Sequence, residues 1–116
     1  MATILLIDDQ ESIRLIFKAV LERAGYRVLT AEHGKDGLRL LEQERVDLIL
    51  LDIFMPEMDG FELIPRLRKY RSTSKIIAMT GDSHYLNMAK RLGVNDALQK
   101  PFSVQELLMA VSSHLN

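Results

Sequence analysis

This 116-residue sequence predicts an α/β fold built on a parallel sheet, and two observations carry that prediction. Strand-like and helix-like segments alternate five times along the chain, an order that covers both faces of one sheet with helices through right-handed crossovers. The runs Ile4-Leu5-Leu6-Ile7 and Leu48-Ile49-Leu50-Leu51 are apolar at consecutive positions, as in strands buried on both faces. The length suits one domain over residues 1–116, with two helix layers around the sheet.

Thr3 to Ile7 is the first strand. From Gln10 the period changes: Ile13, Ile16, Phe17, Val20, Leu21 and Ala24 recur at three and four, which predicts an amphipathic helix with Asp9 as N-cap and Gly25 as stop. Tyr26 to Ala31 reads as a strand, Gly34 to Gln43 as a helix through Leu38, Leu40 and Leu41, and Val46 to Leu51 as the most apolar strand. Asp59 followed by Glu62 has the form of a capping box, opening a helix to about Tyr70 with Pro65 inside it, where a missing N–H bends the chain. Lys75 to Met79 is the fourth strand, ending at Thr80-Gly81. Tyr85 to Leu92 forms a short helix stopped by Gly93, and Asp96 to Gln99 a weak fifth strand ending at Lys100-Pro101. Ser103-Val104-Gln105-Glu106 is a full capping box for a last helix whose Val104, Leu107, Leu108, Val111 and Leu115 face the core.

Composition narrows the function classes. With 47% hydrophobic and 27% charged residues and a net charge of −1, the chain lacks the uncompensated Lys and Arg of a nucleic-acid-binding surface. The basic run Arg66 to Lys75 reads as a solvated helix end. Absence of cysteine excludes disulfides, thiolate metal sites and cysteine nucleophiles. No apolar run approaches a membrane span and Met1 leads straight into a strand, so a cytoplasmic protein without membrane insertion is expected. His33, His84 and His114 lack ligand spacing and read as surface histidines.

Every strand of a parallel sheet points its carboxyl end to one edge, where open α/β sheets bind ligands. Asp8, Asp9, Asp52, Thr80 and Lys100 each stand at such an end and are expected to converge. Three carboxylates together raise one another's pKa unless a cation intervenes, and oxygen donors without His or Cys specify a hard divalent ion, Mg2+ or Mn2+. Asp52 is then the candidate nucleophile toward phosphorus, Lys100 a point charge and Thr80 a hydroxyl donor for phosphoryl oxygens, with small Gly81 leaving room. The product would be an aspartyl phosphate.

In these motifs the chain resembles the receiver domains of two-component response regulators: Asp8-Asp9, Asp52 with Met55-Pro56 and Met58-Asp59-Gly60, Thr80-Gly81, and Lys100-Pro101-Phe102, in that order. The resemblance implies a flavodoxin-like fold with strand order 2-1-3-4-5 and a cis Lys100–Pro101 bond. It implies that Asp52 takes phosphate from a histidine kinase or histidine phosphotransfer protein, with Asp9, Asp52 and the Phe54 carbonyl binding magnesium and Asp8 helping through water. A downstream output domain or target protein would read the change, and a homodimer is open to it. It also places kinase contacts around the first helix and output or dimer contacts on the last, where Leu15 and Met109 project outward.

Two positions depart from the family's pattern. Ala97 stands where many receivers carry an aromatic residue that swings inward, so the usual switch is expected to be missing or rerouted through the helix near Tyr85, with modest change around Tyr85 to Leu92. Phe54 stands at the family's gate for hydrolytic water, where an apolar ring would shield the acyl phosphate and Asp82 would be the residue left to position water. Phe54 also argues against substrate turnover, since haloacid-dehalogenase-like phosphatases place an acid there. The chain is therefore expected to be no enzyme beyond its own phosphorylation and dephosphorylation. Asp8-Asp9-Gln10-Glu11 is the opposite in charge of a nucleotide-phosphate loop. The alternative is a degenerate receiver serving as an interaction scaffold, against which all five site residues being present counts.

Overall fold

A computed structural model describes residues 1–55, 58–70 and 73–115. Its elements alternate as β1 (Thr3–Ile7), α1 (Glu11–Arg23), β2 (Arg27–Ala31), α2 (Gly34–Gln43), β3 (Leu48–Asp52), α3 (Gly60–Tyr70), β4 (Lys75–Thr80), α4 (Ser83–Arg91), β5 (Asp96–Gln99) and α5 (Val104–Leu115). The five strands pair in parallel in the order β2-β1-β3-β4-β5. Successive side chains of a strand point to opposite faces, and the core divides accordingly. Leu5, Ile7, Ile49 and Leu51 pack with Leu41 of α2, Leu63, Ile64 and Leu67 of α3 and Ala89 of α4. Ile4, Leu6, Leu48 and Leu50 pack with Leu21 of α1 and Leu107, Ala110 and Val111 of α5. The predicted flavodoxin-like three-layer α/β fold is the one observed.

Register positions the functional edge. Ile7 lies opposite both Ala31 and Leu51, Asp52 opposite Met79, and Thr80 opposite Gln99. Asp8, Asp52, Thr80 and Lys100 therefore leave the sheet within a residue or two of one another. The helices stop where the glycines predict: Gly25 and Gly93 follow α1 and α4 with φ of +98° and +93°, a region that costs residues with a Cβ. Ser103 and Glu106 exchange the two bonds of a capping box, and Asp59 accepts from the Glu62 amide at 2.9 Å. The Lys100–Pro101 bond is cis.

Several expectations need correction. Gln10, not Asp9, is the N-cap of α1, and it makes no side-chain cap bond. The neighbouring acid acts instead, Asp8 Oδ1 accepting from the Gln10 amide at 3.0 Å, which leaves Asp9 to the site. Ile16 is 53% exposed because it lies roughly 140° around the helix from buried Leu21, at about 100° per residue, and Ala24 is exposed as the C-cap. Val104 is 49% exposed, since it opens α5 a turn before Leu107 meets the sheet. Helix α4 begins at Ser83 rather than Tyr85, because Asp82 caps it by accepting from the His84 amide at 2.9 Å. Pro65 sits in the second turn of α3 with its ring exposed, and the helix continues to Tyr70.

The basic run is not simply solvated. Arg66 pairs with Glu62 at 3.5 Å, but Arg68 is half-buried and donates to the Ser74 and Gly93 carbonyls and to Asn95 Oδ1, tying α3 to the starts of β4 and β5. Pro56 of the Met55-Pro56 motif and Arg71 of the basic run lie outside the described residues. Leu15 and Met109 are exposed, as their helical positions predict.

Candidate functional site

Strand β3 delivers Asp52 to the sheet edge, where it is buried with Ile53 behind it. The Ile53 amide donates to the Met79 carbonyl, and the Ile53 carbonyl accepts from Gly60 at 2.7 Å. Gly60 is required by that approach, because a Cβ there would come within 2.9 Å of the Ile53 Cα. So the Asp59-Gly60 pair folds the start of α3 back onto the end of β3 and closes the base of the loop that follows Asp52.

From β1, Asp8 is fully buried and Asp9 half-buried. One carboxylate oxygen from each of Asp8, Asp9 and Asp52 lies within 4.8 Å of the others. Lys100, just past β5, brings Nζ to 3.3 Å from Asp8 Oδ2 and 3.5 Å from Asp52 Oδ1. Among the described residues, this ammonium lies against two of the three carboxylates. Burial, joined by the charges of Asp8 and Asp9, outweighs the attraction of Lys100 and pushes the Asp52 pKa up to about 6. The buried Thr80 hydroxyl accepts from the Asp82 amide at 3.2 Å, which leaves its own hydrogen free to donate. A Cβ on Gly81 would meet open space, so the approach to Thr80 is unobstructed from that side.

Of the five residues grouped from the sequence, Asp8, Asp9, Asp52 and Lys100 come together by their side chains, and Thr80 stands at the neighbouring strand end, its carbonyl accepting from the Lys100 amide at 2.8 Å. Donor chemistry fits a hard divalent cation: the clustered ligands are carboxylate oxygens, with no nitrogen or sulfur ligand among them. None of the three histidines belongs to the cluster, and His114 instead lies 3.1 Å from Asp96. Phe54 is 50% exposed, its ring set edge-on against Tyr85 at 4.8 Å between centroids. Asp82, considered as a water-positioning acid, has one oxygen committed to capping α4. Ala97 is half-buried opposite Ala78.

Arg14 escaped the sequence reading. Its Nη1 donates to the Asp8 carbonyl at 2.7 Å and braces the turn that carries both acids. Its spacing was a usable signal, for Arg14 stands seven residues before Leu21, two turns along the same buried stripe.

Comparison with known proteins agrees with this geometry. The family profile described as the response regulator receiver domain matches residues 4–112. The alkaline phosphatase synthesis transcriptional regulatory protein PhoP of Bacillus subtilis is 37% identical over 97% of this chain, which spans about half (48%) of that relative's length. Sporulation initiation phosphotransferase F of the same organism is 35% identical over 97% of this chain and 92% of its own. The response regulator TrrA of Thermotoga maritima, solved in complex with Mg2+ and BeF, superposes with a TM-score of 0.90 at 34% identity, covering 98% of this chain and 99% of that one. With profile, sequence relatives and folded shape in agreement along nearly its whole length, this chain belongs to the response regulator receiver domains of two-component signalling systems.

Proposed function

We propose that Asp52 accepts a phosphoryl group, with Mg2+ bound, from a histidine kinase or histidine phosphotransfer protein, and that the resulting aspartyl phosphate alters binding to a downstream partner. One observation carries this reading: a buried carboxylate with its pKa near 6 stands beside two further acids and Lys100 at the carboxyl edge of a parallel sheet. At neutral pH Asp52 is mostly ionised, so one oxygen can attack phosphorus. The new O–P bond forms as the donor's N–P or O–P bond breaks, and the donor group leaves with the electron pair and takes up a proton.

Asp8, Asp9, Asp52 and the Phe54 carbonyl would hold the metal, which when bound supplies neutralising charge between the carboxylate and the phosphoryl oxygens. Lys100, held by Asp8 at 3.3 Å, stays within reach of a phosphoryl oxygen as a point charge. Thr80 can donate to another without losing its bond from Asp82. Arg14 keeps the Asp8 backbone in place through the exchange. The BeF and Mg2+ complex of the Thermotoga relative supports the same chemistry here. Residues 1–116 act as one receiver unit in this reading, a signalling domain whose only catalysis is on itself. This reading includes cytoplasmic operation; among the described residues no helix is long and apolar enough to cross a membrane.

Incubation with Mg2+ and acetyl phosphate, followed by intact mass measurement, is expected to show one added phosphoryl group that disappears in Asp52→Asn and without metal. No addition to the wild-type chain would replace this reading with that of a phosphorylation-independent scaffold.

A further inference from the structure

The site is flanked by aromatic rings that the chemistry above leaves unused. Phe54 leaves the loop immediately after Ile53 and turns its ring away from the core, while Met55 and Met58 of the same loop are buried. Among the described residues the ring that meets Phe54 is Tyr85, in the first turn of α4, at 4.8 Å and an interplanar angle of 83°. This edge-to-face arrangement places ring hydrogens against a π face. Tyr85 is in turn packed on Phe61, in the first turn of α3, at 5.5 Å and 44°. The base of the loop is pinned at Ile53 and Gly60, while Phe54, between buried Ile53 and Met55, is half exposed and has its ring against Tyr85.

We propose that Tyr85 is a positioning residue for the phosphoacceptor site, holding the Phe54 ring against α4 and so fixing the backbone beside Asp52 in the conformation that binds metal. The inference rests on the reading of Asp52 above and adds a residue that does not touch the reacting atoms. Without the Tyr85 ring, the Phe54 segment samples more conformations, and that freedom must be lost each time the site is loaded. Because coupling between sites is reciprocal, loading the site tightens the Phe54–Tyr85 contact and orders the first turn of α4. Site and helix are then linked through rings, at an edge where Ala97 has no ring to contribute.

The test titrates Mg2+ into the intact chain, following the Phe54 and Met55 amides by NMR, with acetyl phosphate labelling and the urea midpoint measured in parallel. Tyr85→Ala is expected to raise the Mg2+ concentration for half-saturation about three- to tenfold, the size of an edge-to-face pair's contribution. Tyr85→Phe keeps the ring and should restore wild-type binding. Phe54→Ala, on a half-exposed residue that threatens folding little, should weaken binding similarly, and the double variant should be no weaker than either single one. Met88→Ala, on the exposed face of α4, should change nothing. Half-saturation unchanged in Tyr85→Ala and Phe54→Ala, even with a lowered urea midpoint, would reduce the rings to packing and overturn the proposal. If the wild-type chain binds no Mg2+ and accepts no phosphoryl group, the Asp52 reading itself has failed, and the positioning role falls with it.

Discussion

Asp52 is held in a conflict that its own burial creates. Its pKa in the folded chain, about 6, is above the ordinary value of 3.8, so the native state binds the carboxyl proton more tightly than the unfolded chain does. Stability from this group is therefore fully present below pH 3.8 and is lost as the pH rises through about 6. Asp52→Asn mimics the neutral form, and in metal-free buffer it is expected to stabilise the protein by on the order of 2 kcal/mol at pH 7.5 and by little at pH 4. Urea midpoints at the two pH values check this; an equal gain at both would mean that packing, not charge, separates the variants. Lys100→Met should act in the opposite sense at pH 7.5, because it strips Asp8 and Asp52 of the one cation within 3.5 Å among the described residues. A loss of about 3 kcal/mol is expected from the uncompensated buried charge, and Mg2+ should recover part of it.

At the scale of elements, much of the molecule's coherence lies in short polar ties at the edge opposite the site. Asp47 Oδ2 accepts from the Thr3 amide at 2.8 Å, and buried Ser74 donates to the Val46 carbonyl at 2.7 Å, so β1, β3 and β4 are aligned before their apolar residues begin. Arg68 extends the tie to β5. Arg68→Met keeps much of the apolar stem but removes donors to Ser74, Gly93 and Asn95, and is expected to cost about 1–3 kcal/mol in the urea midpoint with faster amide exchange at the start of β5. Gly60→Ala meets the Ile53 backbone rather than a flexible side chain. It should cost about 1–3 kcal/mol by overpacking, and weaken Mg2+ binding as well, because the displaced backbone adjoins Asp52. Stability lost with metal affinity unchanged would show that α3, not the acceptor loop, absorbs the strain.

For the whole molecule, the site joins residues from β1, β3, β4 and the end of β5, with no element supplying more than two. A ligand bound there is therefore expected to stabilise the whole sheet rather than one loop. Mg2+ at a hundred times its dissociation constant should add about 2.7 kcal/mol to unfolding. Hydrogen exchange should then slow together in β1, β3 and β4, and slowing confined to the loop after Asp52 would show that the site is not coupled to global folding.

Much of this was legible beforehand, because the fold depends on patterns that repeat locally. Consecutive apolar residues in β1 and β3, the capping boxes at Asp59 and Ser103, and the stops at Gly25 and Gly93 each act within a few residues, so their sequence spacing carries the whole physical argument. The parallel order then made the convergence of Asp8, Asp9, Asp52, Thr80 and Lys100 a matter of topology. Details that depend on which neighbour arrives first in space were not legible. Asp9 and Asp82 are equally good caps in isolation, yet Asp82 caps α4 while Asp9 turns to the acidic site and Gln10 takes the cap of α1. Ile16 fits the three-and-four spacing from Ile13 and Val20, and it is the packing of Leu21 into the core that turns the Ile16 side of α1 to water. By itself the sequence determined the architecture, the acidic edge and the family; tertiary structure decided that burial outweighs Lys100 in setting the Asp52 pKa, which carbonyls Arg14 and Arg68 reach, and the Phe54–Tyr85 contact. These depend on distances between residues far apart in the chain, and only the packed sheet and its helix layers set those distances.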